Sequence, residues 1–570
     1  MTPYIITIGV VAGFLISATL FGIRSDRRRR RLFLGKMRRI YGKYPDKNYT
    51  HENFLHIPIL FRHHVKEDSV DDITWNDLDM DGVFMRLNYC RSAAGEEMLY
   101  HCLRNPATMG AGIAADEELF EKKVAFYDKE TEQRLQAQLL FDEMRQVSKF
   151  SVYDHMEVMD NSIDTNNTGH FIILGLLAAA IVGCFFNFKV YILAVVLLLI
   201  ANVINYFREK SKNQAYFATF SYILRLLQGS KKISALLRKA GDGTLFAKEV
   251  EGMEQSIAAM AAFQRGSSLV MKASLGSSGN PLDLILDYLK MLTHADLIKF
   301  NQMYRHLQNH WEDVDRLIMS SGAAEVPLSV ACYRASVRQS HCLPEFTEEN
   351  ILDMKEVFHP LLEKPVPNSL RCEKNILLTG SNASGKSTFL KTTAIGAIMA
   401  QSIRTVCGEG YRAPVYRIYS SMALSDNLQE GESYYIVEIK SLKRILEATK
   451  KAGPRVLCFV DEVLRGTNTV ERIAASAQIL KHFARQDMLC FAATHDGELT
   501  GMLGNSYDNY HFDGKISGDD VRFDYRLHNG SASTRNAIQL LKMLGYDSSI
   551  VTAAEQSAAQ FLKSGVWKAI

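Results

Sequence analysis

The stretch Asn375-Ile-Leu-Leu-Thr-Gly380-Ser-Asn-Ala-Ser-Gly385-Lys-Ser387 decides the fold that this chain is expected to adopt. Its second half fits the pattern G-x-x-x-x-G-K-[ST], and its first half is an apolar run typical of a buried strand. A strand, a glycine-rich turn and a helix in this order bring backbone N–H groups and a helix N-terminus around a phosphate group. The sequence therefore predicts a phosphate-binding loop in an α/β domain.

This loop predicts the residues that bind a nucleotide. They are Gly380, Ser381, Asn382, Ala383, Ser384, Gly385, Lys386, Ser387 and Thr388. Lys386 is expected to reach the β- and γ-phosphates of ATP, and Ser387 is expected to place its hydroxyl on Mg²⁺. ATP and Mg²⁺ are therefore the predicted cofactors.

Two further apolar runs end in residues suited to phosphate chemistry. Val456–Val460 is followed by Asp461 and Glu462, and a later run is followed by His495. We expect Asp461 to hold Mg²⁺ together with Ser387, and Glu462 to orient and deprotonate the attacking water. His495 would contact the γ-phosphate or the water. Alone, a carboxylate pair after a strand can be a helix cap, and a histidine there can be purely structural. With Lys386 they form a predicted catalytic set for hydrolysis of ATP to ADP and phosphate.

The spacing of apolar residues along the chain changes near Pro344. After it, continuous apolar strands alternate with helices, which is typical of a parallel sheet covered on both faces. Before it, apolar residues recur three and four positions apart, as in amphipathic helices. The predicted fold is thus an α/β P-loop domain of the ABC ATPase type at the C-terminus, preceded by an all-α region with transmembrane helices.

Uncharged segments predict the membrane part. Met1–Ile23 carries no charged side chain and is followed by an arginine cluster, Arg24–Arg31. A signal peptide would have its positive charge first, so we expect an uncleaved anchor with Arg24 onward in the cytoplasm. Phe171–Phe188 and Val190–Phe207 predict a helical hairpin, with a buried helix pair as the alternative. The expected location is the inner cell membrane, multi-pass, with the ATPase domain in the cytoplasm.

Composition narrows the classes of protein. The 570 residues include 66 Lys and Arg against 63 Asp and Glu, a net charge of +3, which excludes a globally basic nucleic-acid coat. The nine cysteines contain no C-x-x-C pair, so a zinc ribbon or thioredoxin-type site is not expected. At about 150 residues per domain, the length predicts three or four structural units.

Several motifs resemble the ATPase domain of the MutS family, which recognises DNA mismatches. The segments that carry the resemblance are Thr379–Leu390, Ser425–Ser433, Asp461–Thr469 and Ala493–Thr500. The third resembles the run DE-x-x-RGTST of the family, and the fourth resembles ATH-x-x-ELT. Leu87–Pro106 resembles, more weakly, the start of the helical lever region of the family.

The resemblance implies a homodimer formed through the ATPase domains. By it, Ser433 is the signature serine that reaches the γ-phosphate bound to the partner subunit, so each site is composite. DNA is the implied ligand. The family reads mismatches through an N-terminal Phe-x-Glu, and Phe346-Thr-Glu348 has these letters in the wrong region. We therefore expect a membrane-anchored variant without the mismatch-reading domain, binding DNA by its structure rather than by a mismatch.

The sequence thus predicts five segments. They are an anchor with its basic cluster at 1–40, helical lever or core parts at 60–169 and 208–345, a transmembrane hairpin at 170–207, and the ATPase domain at 346–570. Three helices would contact membrane lipid, and any protein partner is unknown. Two alternatives stay open: an ATP-driven membrane protein with a protein partner or a transporter-like role and no DNA binding, and a scaffold that binds ATP without hydrolysing it.

Overall fold

The computed structural model describes residues 21, 24–106, 116–145, 151–154, 165–271, 288–337, 340–381, 384–422, 434–517, 520–532, 538, 541–542, 544–567 and 569. The chain forms two compact units. The first comprises Met1–His64, Asn88–His101 and Glu121–Tyr333, and the second comprises Val65–Leu87, Cys102–Phe120 and Arg334–Ile570. These units cut across the predicted segments, because the predicted lever part 60–169 contributes to both of them.

Helices build the first unit. Those that lie wholly within it are α1 (24–40), α2 (His51–Phe54), α3 (Ile59–His63), α8 (Thr131–Glu143), α9 (Thr168–Gly183), α10 (Phe188–Leu237), α11 (Ala247–Ala259), α12 (Ala261–Gln264), α13 (Ser268–Met271) and α14 (Ala295–Gln308). Residues 288–293 are also helical. The predicted all-α region is confirmed. Its core is rich in aromatic rings, with Phe220 and Phe300 stacked 4.9 Å apart.

The predicted hairpin is a pair of helices, α9 and α10, joined by a turn at 184–187. Within the described residues, Phe188–Asn213 of α10 is long and apolar enough to cross a membrane, and α9 is a shorter apolar helix. Helix α10 continues to Leu237, so it extends beyond the predicted hairpin half Val190–Phe207 into the helical part predicted from residue 208. The reason is that neither proline nor glycine interrupts the sequence between Phe188 and Leu227. The predicted anchor Met1–Ile23 lies outside the described residues except for Phe21.

A six-stranded sheet dominates the second unit, in the order β12-β11-β5-β10-β9-β8. All neighbouring pairs are parallel except β11–β12. The strands are β5 (Asn375–Gly380), β8 (Tyr416–Ser421), β9 (Arg455–Asp461), β10 (Met488–Ala493), β11 (Tyr507–Ser517) and β12 (Asp520–Asn529). Because β5, β9 and β10 are parallel, their carboxyl ends meet at one edge. The predicted α/β fold is confirmed, and this edge carries Gly380 and Asp461 at the strand ends and His495 just after β10.

Smaller sheets and helices complete the second unit. One sheet has the order β2-β7-β3-β4 and another pairs β1 with β6. Their strands are β1 (His341–Cys342), β2 (Glu345–Phe346), β3 (Leu352–Val357), β4 (Asn368–Cys372), β6 (Val406–Cys407) and β7 (Gly410–Ala413). The helices are α4 (Asp72–Asp77), α5 (Met80–Leu87), α16 (Lys386–Ile403), α17 (Tyr434–Thr449), α18 (Thr469–Phe483), α19 (Glu498–Leu503) and α20 (Ser548–Ser564). Three more helices cross the unit boundaries: α6 (Ala93–Arg104), α7 (Glu117–Lys129) and α15 (Trp311–Val337).

Helix α4 belongs to the ATPase-type unit although it lies far upstream in the sequence. It packs against the edge strand β8, where Thr74 Oγ1 accepts a hydrogen bond from the backbone N–H of Ser420 at 3.0 Å. The carboxylate of Asp77 accepts from Ser420 Oγ at 2.7 Å and from the Met422 N–H at 2.9 Å. The short helix therefore covers an edge that would otherwise expose unpaired backbone groups.

Candidate functional site

The predicted phosphate loop lies between strand β5 and helix α16. Gly380 is the last residue of β5 and has a φ of 142°, and Gly385 precedes α16 with a φ of 114°. Only glycine adopts such angles without strain. A Cβ on Gly380 would lie 2.6 Å from the carbonyl oxygen of Phe512, so the turn also lacks space for a side chain. Asn382 and Ala383, two predicted nucleotide-binding residues, lie outside the described residues.

Polar atoms converge on the inside of this loop. Lys386 is buried, and its Nζ donates to the carbonyl oxygens of Gly380 at 2.8 Å and Ser381 at 3.0 Å. Burial lowers the pKa of Lys386, and the nearby carboxylates of Asp461 and Glu462 oppose this shift. In the described part of the chain, the buried hydroxyl of Ser381 finds no hydrogen-bond partner. A buried donor without a partner is costly, and a phosphate oxygen would satisfy it.

Ser384 of the loop also has a buried hydroxyl that finds no hydrogen-bond partner among the described residues, and a phosphate oxygen would satisfy it. Beside the loop, the predicted metal ligands lie together, since Ser387 Oγ donates to Asp461 Oδ2 at 2.5 Å. Burial raises the pKa of Asp461, and the hydrogen bond from Ser387 opposes this shift. A hydroxyl and a carboxylate are hard oxygen ligands, and Mg²⁺ prefers such ligands. The residues present therefore fit both a nucleotide and Mg²⁺.

The predicted general base is held by two cationic or polar partners. Glu462 Oε1 lies 2.9 Å from His495 Nε2, and Glu462 Oε2 lies 3.0 Å from Arg465 Nε. The hydrogen bond from His495 lowers the pKa of Glu462, with partial burial opposing it. The carboxylate is thus ionised at neutral pH and able to accept a proton from water. The structure brings Glu462 and His495 together beside the Ser387–Asp461 pair.

Arg465, which contacts Glu462, was not among the predicted site residues. The signal was present, because an arginine three residues after a carboxylate can fold back onto it. Ser433, the predicted signature serine, lies outside the described residues, and helix α17 begins at the next residue, Tyr434.

A cavity of about 310 Å³ beside the loop was also missed. Its lining includes Val357, Pro365, Gly385, Thr388, Phe389, Thr392, Phe512 and Tyr525. The rings of Phe389 and Phe512 lie 5.7 Å apart, and the wall is largely apolar. Two of the lining residues, Gly385 and Thr388, belong to the phosphate loop and its helix. A flat, uncharged ring attached to a loop-bound phosphate chain fits such a space. No local pattern reveals the cavity, because its walls come from distant segments.

The C-terminal part of the chain matches one family model, and curated relatives share one name. Residues 376–562 match the family model described as MutS domain V. The chain is 29% identical over 274 residues to the DNA mismatch repair protein MutS of Lachnoclostridium phytofermentans, covering 45% of this chain and 29% of that protein. It is 27% identical to the protein of the same name from Carboxydothermus hydrogenoformans, covering 50% and 35%. For that of Thermus thermophilus the values are 30%, 40% and 28%.

The chain therefore spans about a third of the length of the curated relatives that it matches. All predicted site residues, from Gly380 to His495, lie within the range of the family match.

Proposed function

The chain belongs to the MutS family through its C-terminal domain, and from this premise we propose that it binds and hydrolyses ATP at the site described. The observation that supports this most directly is the pair of contacts at the sheet edge, Ser387 with Asp461 and Glu462 with His495. These contacts place a pair of possible Mg²⁺ ligands and an ionised carboxylate next to each other, beside the predicted phosphate loop. The hydroxyls of Ser381 and Ser384, which have no hydrogen-bond partner among the described residues, could donate to phosphate oxygens.

Each residue has a distinct part in the proposed reaction. The loop amides and Lys386 bind the phosphate chain and stabilise negative charge that develops on it. Ser387 and Asp461 would hold Mg²⁺, which neutralises charge on the β- and γ-phosphates. Glu462 takes a proton from the attacking water through its carboxylate, and His495 orients that carboxylate by the 2.9 Å hydrogen bond. The apolar cavity near Phe512 holds the adenine ring of ATP away from solvent.

Replacing Glu462 with Gln tests the proposal. The amide keeps the shape and accepts from His495, but it cannot take a proton, so we expect kcat to fall about 10²- to 10⁴-fold with nucleotide affinity kept. The measurement is steady-state ATP hydrolysis together with the affinity for a fluorescent ATP analogue. Glu447→Gln, at an exposed position of α17, is the matched control and should change neither value. An unchanged kcat in Glu462→Gln would contradict the assignment of Glu462 as the general base.

We further propose that the protein is membrane-anchored, multi-pass, with the ATPase domain on the cytoplasmic side. Most of the large apolar side chains of α9 and the first half of α10 face outward, with Phe185 at 88% exposure and Phe186 at 86% at the tip of the pair. Only 11% of the apolar window of α10 is buried, whereas a core helix would be mostly buried. The 16 residues of α9 span about 24 Å, short of a hydrocarbon core of about 30 Å, so the pair requires local thinning or tilting of α10.

A cysteine at the tip tests this topology. In a variant with Cys184→Ser, we would introduce Phe185→Cys and treat right-side-out vesicles with a membrane-impermeant maleimide. Labelling of position 185, with none of a control Glu447→Cys, is the result that the hairpin topology requires. Equal labelling of both positions, or release of the chain by alkaline carbonate, would argue for a helix pair on the membrane surface or in a protein interface.

DNA is the proposed ligand of the protein, since the relatives are named DNA mismatch repair proteins. Because the family match lies in domain V, we propose contacts to the DNA backbone that favour a structure over a mismatch, made by a homodimer with Ser433 facing the nucleotide of the partner subunit. Titration of the detergent-solubilised chain with linear, mismatched and branched DNA, with and without ATP, tests this. ATP-dependent binding with a steep salt slope supports it. Hydrolysis without any DNA binding favours the alternative, an ATP-driven membrane protein with a protein partner or a transporter-like role.

A further inference from the structure

The loop that carries Glu462 has an unusual backbone. Glu462 and Leu464 both have a φ of 58°, which is the left-handed region that residues with a side chain rarely adopt. Two such residues within three positions store strain, and this conformation persists only if surrounding groups hold it. The direction of the Glu462 carboxylate therefore depends on whatever fixes this turn.

Three contacts from three different elements hold the turn. The N–H of Glu462 donates to the carbonyl oxygen of Ala493 at 2.9 Å, at the end of β10. Ser476 Oγ on α18 donates to the carbonyl oxygen of Val463 at 3.1 Å. The N–H of Leu464 donates to Oε1 of Glu438 on α17. The last contact involves a charged acceptor at one of the two left-handed residues, so it is the strongest of the three.

Glu438 is itself an unexpected residue in its place. It is 3% exposed, on a helix whose neighbouring residues Leu442 and Ile445 belong to the hydrophobic core. Burial raises the pKa of Glu438, and the backbone amides of Leu464 and Arg465 oppose this shift. A buried carboxylate is costly, and a helix needs none for its own packing. Its hydrogen bond to the turn is the contact that compensates for the burial.

We propose that Glu438 is a positioning residue for ATP hydrolysis, which holds the turn at Leu464 so that the Glu462 carboxylate lies against His495 and the attacking water. The inference rests on the proposed function, because it assigns a part in that reaction. A displacement of about 1 Å in a reacting group can reduce a rate about 100-fold. Loss of the Glu438 carboxylate should thus reduce kcat and leave the phosphate loop, which lies on β5 and α16, able to bind nucleotide.

The test compares Glu438→Ala with Glu438→Gln. The glutamine keeps an oxygen that accepts from the Leu464 amide, whereas alanine leaves that amide without its acceptor. We expect kcat of Glu438→Ala to fall about 10- to 100-fold, with the affinity for a fluorescent ATP analogue within about twofold of the parent. Glu438→Gln should retain most of kcat. Glu447→Ala, a surface glutamate of the same helix, should behave as the parent.

Hydrogen exchange of the loop peptide separates this idea from the proposed function. In Glu438→Ala the amides of the turn at 462–465 should exchange faster, while those of α16 stay protected, and Glu438→Gln should restore slow exchange. If the parent chain hydrolyses no ATP, the proposed function fails, but the exchange result still reports whether Glu438 holds the turn. Equal loss of kcat and nucleotide affinity in Glu438→Ala, with no rescue by glutamine, would show a merely structural residue and overturn the proposal.

Discussion

Gly380→Ala is the change for which the structure gives the sharpest expectation. Gly380 ends β5 and pairs with Phe512 of β11 in a parallel register. An added Cβ would lie 2.6 Å from the carbonyl oxygen of Phe512 and 3.0 Å from Ser384 Oγ. The serine hydroxyl can rotate away. The backbone oxygen cannot, because the chain around it is fixed by strand pairing, so β5 and β11 would have to separate at the mouth of the loop.

The cost has two parts. A residue with a side chain at a φ of 142° carries backbone strain of about 1–3 kcal/mol. The overlap with Phe512 adds about 1–3 kcal/mol, as overpacking does in cores. Reduced freedom of the unfolded chain returns about 0.4–1 kcal/mol. A net loss of about 1–6 kcal/mol in the stability of the second unit follows, concentrated at the loop that is proposed to bind phosphate.

Gly396→Ala provides a matched control with the opposite expectation. Gly396 lies inside α16, where an added Cβ would have its nearest neighbour, Val406 Cγ1, at 3.7 Å, which is ordinary contact. Alanine is favoured over glycine within a helix by about 1 kcal/mol. We therefore expect this variant to be as stable as the parent or more stable, although both changes add one methyl group to a glycine of the second unit.

The assay is the thermal unfolding midpoint of the full chain in detergent, followed by differential scanning fluorimetry, together with the affinity for a fluorescent ATP analogue. Gly380→Ala should lower the midpoint and weaken nucleotide binding at least tenfold, while Gly396→Ala should do neither. Parent-like affinity and midpoint in Gly380→Ala would refute the reasoning, since it would mean that the loop does not need the left-handed turn and close approach described.

Three further changes test separate parts of the structure. Burial raises the pKa of Glu325 to about 7 from 4.5, so its contribution to stability is fully present below pH 4.5 and is lost as the pH rises through 7; Glu325→Gln should remove about 3 kcal/mol of this pH dependence, read as the difference between the unfolding curves of variant and parent from pH 4 to 8. Asp77→Ala should destabilise the second unit by about 2–4 kcal/mol, because it leaves the buried Ser420 hydroxyl and the part-buried Met422 amide without their acceptor, whereas Asp77→Asn should cost less in the same denaturation experiment. Arg465→Ala should leave stability within about 0.5 kcal/mol, since that side chain is largely exposed, but should alter the pH profile of ATP hydrolysis, because it removes a cation beside Glu462; an unchanged profile would contradict this.

The sequence predicted the sheet edge of the site well because the information there is local. The apolar runs ending at Gly380, Asp461 and Ala493 are buried strands, and the order of strand, glycine loop and helix leaves little freedom. What could not be predicted depends on contacts between distant segments. The cavity near Phe512 and the docking of α4 on β8 have no periodic signal, since each wall looks like an ordinary amphipathic element.

The neighbouring carboxylates of the site show why a motif alone is incomplete. Asp461 ends β9, where burial raises its pKa, and Glu462 turns away from the strand, where the hydrogen bond from His495 lowers its pKa. Adjacent residues of a strand point to opposite faces, so an extended Glu462 would leave the metal-type pair behind. The left-handed turn at Glu462 is what would allow both side chains to take part in the proposed hydrolysis of ATP. The two adjacent carboxylates thus have separate chemical roles only because other groups hold this turn, and Glu438 is one of those groups.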